Sequence, residues 1–429
     1  MKDLILLALV SFLVSCQFSP VRDVASDKFG KKSVRDYFKN VSEEQRNEAL
    51  SRAELFSKDY DPAKVAQIDI VSNLAEICGA GFSYNRNQVS DYNENSSYRA
   101  PVNSYQWPTV SCNYHADVEK KMGGGSTKFL CDFPDAKSKD GVVTKKIKYA
   151  DSPMDPISSE VVDTTVAFNL AKLLGFHSNN YCPAIINCKN CPNSNPWRSQ
   201  RASVPPSNKT VKFEWAIIEK PIEAYVITTP ISGNAARGVE WEEIKLVKND
   251  SEDERKRILI EREAWILWVH FLQHTDAYAS NQRLSCLKAE SDAAGKYVCK
   301  TPILYNHDYG HSFYRHMHFS KWADNPVFQS GEKNAGCKAV LTKDYLPKQS
   351  PMKGVILGAE ISAEARDVLV ERLSRVTDDQ WITLFRIARA EEAAKVTSET
   401  WLKAVKRKIS QMKSASCLPF SAGKSVLWQ

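Results

Sequence analysis

The stretch from Asp276 to Asp308 constrains this chain more than any other feature. It begins where a buried-looking helix, Ala264 to Leu272, ends, and it opens with His274-Thr275-Asp276-Ala277-Tyr278-Ala279-Ser280-Asn281. A strand (Arg283 to Leu287), a turn (Glu290 to Gly295) and a second strand (Val298 to Tyr305) follow, and the chain then reaches His307-Asp308-Tyr309-Gly310. The long apolar run ahead of the loop has helical length, while the short alternating runs after it have the period of strands. Helix, polar loop and hairpin in that order predict an α+β fold with acidic residues collected where the hairpin starts and ends.

Upstream lies a second group of chemically suggestive residues. Gly123-Gly124-Gly125-Ser126 precede the strand-like Thr127 to Phe133, and glycines between strands let backbone N–H groups come close to a phosphate. A second strand, Val142 to Tyr149, carries Lys145, Lys146 and Lys148. Glu160 then opens a helix whose Val161, Val162, Thr165, Val166, Leu170, Leu173 and Leu174 recur at helical spacing until Gly175 ends it. A strand lysine facing a helix glutamate can hold phosphates, because the carboxylate keeps the ammonium in place. Lys148 is the first choice, since alternation puts it on the face of Lys146 but nearer the helix; Lys146 is the reserve. The plainer reading is two surface lysines and a glutamate favoured by the helix dipole.

In chain order these pieces resemble the kinase-like superfamily that includes phosphatidylinositol 3- and 4-kinases, HipA-type bacterial kinases and secretory-pathway protein kinases. The likeness runs from about Gly123 to Tyr314. More narrowly, Lys128-Phe129-Leu130-Cys131, Leu173-Leu174-Gly175-Phe176, Cys188-x-x-Cys191-Pro192 and Asn281-Gln282-Arg283-Leu284 resemble a group of exported bacterial proteins of that type. The resemblance implies a two-lobed fold, with a small β-rich N-lobe and a larger helical C-lobe, while the polar, charged and apolar-poor stretch from 17 to about 60 reads as an N-terminal tether. By it, Gly123, Gly124, Gly125, Ser126 and Lys148 contact a nucleotide, Glu160 pairs with Lys148, Asp276 takes the acceptor's proton, and Asn281 and Asp308 bind metal. ATP with magnesium or manganese and a hydroxyl acceptor are the implied partners. The glycine loop departs from Gly-x-Gly-x-x-Gly, and Tyr309 stands where phenylalanine is commoner.

Two readings compete. His307, His311, His316 and His318 gather around Asp308, and His307 and His311 on one helix face would suit a zinc hydrolase. Gly310 and the preceding strand oppose a helix there. The other rival is a kinase-like scaffold without catalysis, motivated by the scarcity of ATP outside the cytoplasm.

The N-terminus predicts export. Met1-Lys2-Asp3 precedes an uncharged apolar run, Leu4 to Val14, too short to span a bilayer, and Leu13-Val14-Ser15-Cys16 resembles the lipobox of bacterial lipoproteins. Cys16 is the expected lipidation site, and Gln17 in place of aspartate points to an outer-membrane anchor. Cleavage removes Lys2 and Asp3 together, so the net charge stays +7. With acidic residues interspersed and no basic tail, that charge reads as a mixed surface and not as a nucleic-acid partner. Eleven cysteines leave ten after Cys16, an even set in a compartment that permits disulfides. Cys286 and Cys299 flank the hairpin turn and are expected to bridge. Cys182, Cys188 and Cys191 sit in what reads as a Pro/Asn-rich loop, with a structural disulfide favoured over half a zinc site. The resulting layout is a signal peptide at 1–15, a tether at 16–60, an extension at 61–115, N-lobe at 116–220, C-lobe at 221–412 and a tail at 413–429.

Overall fold

The computed structural model describes residues 37–38, 41–86, 105–116, 127–135, 141–150, 160–191, 207–229, 238–277, 281–293, 295–328, 337–339 and 359–421. The signal peptide and Cys16 lie outside them. The fold is mixed α+β.

Five strands close into a barrel: β1 (Thr109–Tyr114), β2 (Lys128–Pro134), β3 (Val142–Ala150), β4 (Asn180–Cys191) and β5 (Lys209–Lys220), in the order β1-β2-β3-β5-β4. All neighbours are antiparallel except β1 and β4, whose parallel pairing (Thr109 with Ile185, Cys112 with Cys188) shuts the barrel and removes both sheet edges. Alternation on β2 sends Phe129, Cys131 and Phe133 inward. The segment read as a Pro/Asn-rich loop around Cys182 and Cys188 is strand β4 instead. Its Tyr181 to Ala184 run is buried throughout because two strands flank it, and a central strand lacks the alternation that marks a half-exposed one.

Helices α1 (Glu43–Ser51) and α2 (Ile70–Cys78) come first in the chain, and helix α3 (Glu160–Leu173), in which one apolar stripe is expected, buries Glu160, Asp163 and Thr164 as well. It is wedged between β4, the Phe313–Met317 segment and the helix at 378–387, so it has no solvent face to keep polar. The helical part comprises α4 (Glu252–Phe271), α5 (Ala363–Arg375), α6 (Asp378–Ile387) and α7 (Ser398–Ser414). Ser251, Ser362 and Thr397 cap α4, α5 and α7, and Thr377 with Gln380 forms a capping box on α6. The last turns of α4 bury Trp265, Ile266, Leu267, Trp268 and Phe271 completely, at roughly 1.5–3 kcal/mol for each large apolar side chain. Among the described residues no helix is long and apolar enough to cross a membrane.

A small sheet is formed by β6 (Tyr225–Val226), which precedes α4 in the chain, and by β7 (Gln282–Ser291) and β8 (Tyr297–Asn306), which follow it, ordered β8-β7-β6. Residues 43–56, placed in a tether by their low apolar content, pack onto this part of the fold. Leu50, Ala53 and Leu55 are buried, and Glu54 exchanges backbone hydrogen bonds with Pro302 and Leu304 of β8. Arg46 is fully buried with its charge matched, its two terminal nitrogens donating to both carboxylate oxygens of Glu243 at 2.8 and 3.0 Å and to the Gly238 carbonyl. The extension at 61–115 supplies β1 and a helix (Ile70–Cys78) whose Cys78 bonds Cys182 of β4.

Five disulfides are formed: Cys78–Cys182, Cys112–Cys131, Cys188–Cys191, Cys286–Cys299 and Cys337–Cys417. They take up all ten cysteines among the described residues.

Candidate active site

The β7–β8 hairpin is the frame of the site. Its register pairs Gln282 with Asn306, and His307 N–H donates to the Asn281 carbonyl at 2.7 Å, so Asn281 and Asp308 leave the same end of the hairpin side by side. The Cys286–Cys299 bond crosses the hairpin, and with four register pairs between Cys286 and the site it limits slippage of that register.

Asp308 meets the barrel here. Lys148 Nζ lies 2.7 Å from Asp308 Oδ2 and 3.2 Å from Glu160 Oε2, joining β3, α3 and the hairpin through one ammonium whose side chain is 1% exposed. Burial by itself would lower the pKa of Lys148, but Asp308 and Glu160 outweigh it and raise it. Burial likewise disfavours charge on Glu160, and Lys148 and His311 hold it down at about 2. Asp308 is also held low against its burial, chiefly by Lys148. All three are charged at neutral pH, an arrangement stable in a dry setting only because each charge is matched.

Gly310 N–H donates to Asp308 Oδ1 at 2.9 Å, fixing the carboxylate from its other side. A Cβ at Gly310 would sit 2.9 Å from Glu160 Cδ, so any larger residue here would have to push the Glu160 side chain aside. Tyr309, the departure from phenylalanine, is buried against Phe168 and Trp268, and its hydroxyl accepts from Trp268 Nε1 at 3.0 Å. A buried phenol needs such a partner, and the tryptophan supplies it.

Asp276 stands at the opposite side of the frame. Asn281 Nδ2 donates to the Asp276 carbonyl at 2.7 Å and to its Oδ2 at 3.1 Å. Burial, with the nearby charges of Asp308 and Glu160, raises the Asp276 carboxyl to about 6, against the lowering pull of His311 and of the Asn281 hydrogen bond. A carboxylate poised there can accept a proton near neutrality. With its nitrogen donating to Asp276, the group of Asn281 that could reach a cation is its amide oxygen. Asn281 and Asp308 thus offer hard oxygen donors, two protein ligands of the kind magnesium takes when phosphates supply the rest.

The structure brings Lys148, Glu160, Asp276, Asn281 and Asp308 into one site. Gly123, Gly124, Gly125 and Ser126 lie outside the described residues. Lys146, the reserve, turns to Glu219 and pairs with it. The zinc arrangement is not formed: residues 307–310 are not helical, Asn179 Nδ2 donates to His307 Nδ1 at 3.0 Å, and His311 Nε2 reaches Glu160 Oε1 at 3.3 Å. The side chain of His316 lies outside the described residues. Among the described residues no three His, Cys, Asp or Glu side chains cluster as a metal site.

Three participants have no role in the kinase-like reading of the sequence. His311 braces Glu160. Lys128, in register opposite Lys148, is buried and pushed down to about 8 by that burial and by Lys148 and Lys146. Glu219 holds Lys146. Only Lys128 left a local signal, as the cation directly after the glycine loop and its strand start.

No protein-family model and no curated protein matches the chain. Among solved structures, the proinflammatory kinase CtkA of Helicobacter pylori is similar at 10% identity and a TM-score of 0.38, with 72% of this chain and 100% of that chain covered. A chain of the Shewanella oneidensis MR-1 HipA–HipB toxin–antitoxin system with its operator DNA is similar at 12% identity and a TM-score of 0.26, covering 69% of this chain and 64% of that one. Likeness this remote decides nothing about activity.

Proposed function

We propose that this chain is a two-lobed, kinase-like phosphotransferase that moves the terminal phosphoryl group of a nucleotide to a hydroxyl acceptor. The observation that carries it is the Lys148–Glu160–Asp308 ion network joined through one hairpin to the Asp276–Asn281 pair. Lys148, fixed by Glu160, draws the donor phosphates toward Asp308. Asn281 and Asp308 would hold magnesium or manganese, which neutralises phosphate charge when bound. Asp276 accepts the hydroxyl proton as the acceptor oxygen bonds to phosphorus and the bond from phosphorus to the bridging oxygen breaks, its electrons leaving with the diphosphate. Positioning and charge neutralisation supply most of the acceleration.

Thermal stabilisation of the oxidised protein by nucleotide, with and without magnesium or manganese, tests this. The wild type is expected to be stabilised only with metal and to turn over ATP slowly or phosphorylate itself, and Asp308→Asn is expected to lose both together. Absence of stabilisation and of turnover in the wild type would refute the reading, whereas stabilisation with no transfer to any hydroxyl acceptor would favour a scaffold.

The same reading includes export and a lipid anchor at Cys16, supported by the pairing of the other ten cysteines in disulfides, as in a compartment that permits them. Cys16→Ala is expected to shift the protein from the detergent to the aqueous phase on partitioning; unchanged partitioning would remove the anchor.

A further inference from the structure

The turn that carries Asp308 is tied from behind by a polar group set in aromatic packing. Tyr309 is fully buried, and besides the indole of Trp268 its hydroxyl has the indole of Trp265 and the amide of Asn306 as hydrogen-bonding neighbours. Trp265 and Asn306 are buried as well, and neither Trp265 Nε1 nor either polar atom of the Asn306 amide closes a hydrogen bond elsewhere among the described residues. A phenol has one proton to give and two lone pairs that receive, enough to serve all three side chains. Without that oxygen, two indole N–H groups and an amide would stand in a dry core with nothing to bond.

The position of Asn306 gives the tie its consequence. Asn306 ends β8 in register with Gln282 of β7, and the next residue, His307, donates its N–H to the Asn281 carbonyl at 2.7 Å. Asp308 lies between Asn306 and Tyr309 in the chain, so a tie between those two side chains closes the turn around it. Gly310 N–H holds the carboxylate from the far side. Asn281 and Asp308, the two oxygen donors offered to a cation, therefore leave a frame braced at both ends of the turn. Magnesium takes ligands at about 2.0–2.1 Å in a near-ideal octahedron, whereas calcium accepts about 2.3–2.6 Å and irregular geometry. A donor pair held at one spacing can discriminate against the larger ion, and a pair free to adjust cannot.

We propose that the Tyr309 hydroxyl, shared with Trp268, Trp265 and Asn306, is a positioning group that fixes Asp308 against Asn281 and thereby makes nucleotide binding selective for magnesium over calcium. The inference rests on the phosphotransfer reading and specifies what sets the choice of its metal. Phenylalanine, the commoner residue at this place, would fill the same space and lose the tie.

The affinity of the oxidised full chain for ATP is measured by calorimetry with magnesium and with calcium. The wild type is expected to bind at least about tenfold more tightly with magnesium. Tyr309→Phe is expected to weaken binding with magnesium by roughly tenfold and with calcium by about threefold or less. Asn306→Ala, which removes the tie but keeps the bond from Trp268, is expected to shift the ratio the same way. Val370→Ala, a cavity in α5 outside the ion network, is expected to lower the unliganded melting temperature and leave the ratio as in wild type, which separates positioning from general loss of stability. Equal affinities with the two metals in the wild type overturn the inference and leave the phosphotransferase standing, as does a folded Tyr309→Phe with the wild-type ratio. If neither site variant folds, the wild-type ratio decides alone. Failure of ATP to bind the wild type with either metal overturns the phosphotransferase reading and this inference with it.

Discussion

The two sides of Asp308 are built from the same residue types to different ends. Toward α3, Lys148, Glu160 and His311 close on one another, and Lys148 is 1% exposed. Toward β5, Lys146 and His307 stay 26% and 27% exposed around a carboxylate that is itself buried. Charges shut away from water hold a geometry, because losing one partner leaves the other buried and unmatched at a cost of about 3–5 kcal/mol. Charges left partly in water bind each other weakly and can change partners when a ligand arrives. The closed side therefore sets where groups stand, and the open side is suited to contact what enters.

The sharpest way to test that division is to alter the group facing the acceptor. Asp276→Asn is expected to slow transfer by about a hundredfold or more while nucleotide-induced stabilisation stays nearly intact, read by single-turnover assays beside calorimetry. Parallel loss of binding would place Asp276 with the donor contacts and blur the two sides. In the wild type the base works deprotonated. With its carboxyl raised to about 6, by burial first and then by Asp308 and Glu160, the rate is expected to fall roughly tenfold per unit below pH 6 and to level above it. A flat profile from pH 5 to 7 would mean another group takes the proton.

The smallest expected effect probes the packing of the closed side. Gly310→Ala puts a methyl group 2.9 Å from Glu160 Cδ, and displacing that carboxylate from Lys148 is expected to cost about 1–3 kcal/mol of stability and to weaken metal-dependent nucleotide binding. An unchanged melting temperature would show that Glu160 can yield without loss, and that the network is looser than its burial implies.

The helix leading into the Asp276 loop was legible because its signal is local: the apolar run from Ala264 into Leu272 marks the buried half of α4 by its length. Strand β4 was not legible, because burial by neighbours on both sides erases the period-two pattern, and Pro183 and the nearby asparagines read as loop. Residues 43–56 misled in the opposite way. Their few apolar side chains looked too sparse for a core, yet each is buried, and the remaining charge of Arg46 is matched by Glu243 far along the chain.

The sequence by itself determined the order of the chemistry, from glycine loop through Lys148, Glu160, Asp276 and Asn281 to Asp308, and the hairpin that separates the last two, since these depend on residue type and short-range period. Only the tertiary structure decided that β1 closes a barrel against β4, that Cys78 bonds Cys182 and Cys337 bonds Cys417, that His311 braces Glu160, and that Lys146 joins Glu219 instead of Glu160. Each of those pairings joins residues distant in the chain or chooses between partners equally open to a strand lysine. Local propensity carries no information about which distant surface will arrive, so the choice is made when the whole core packs.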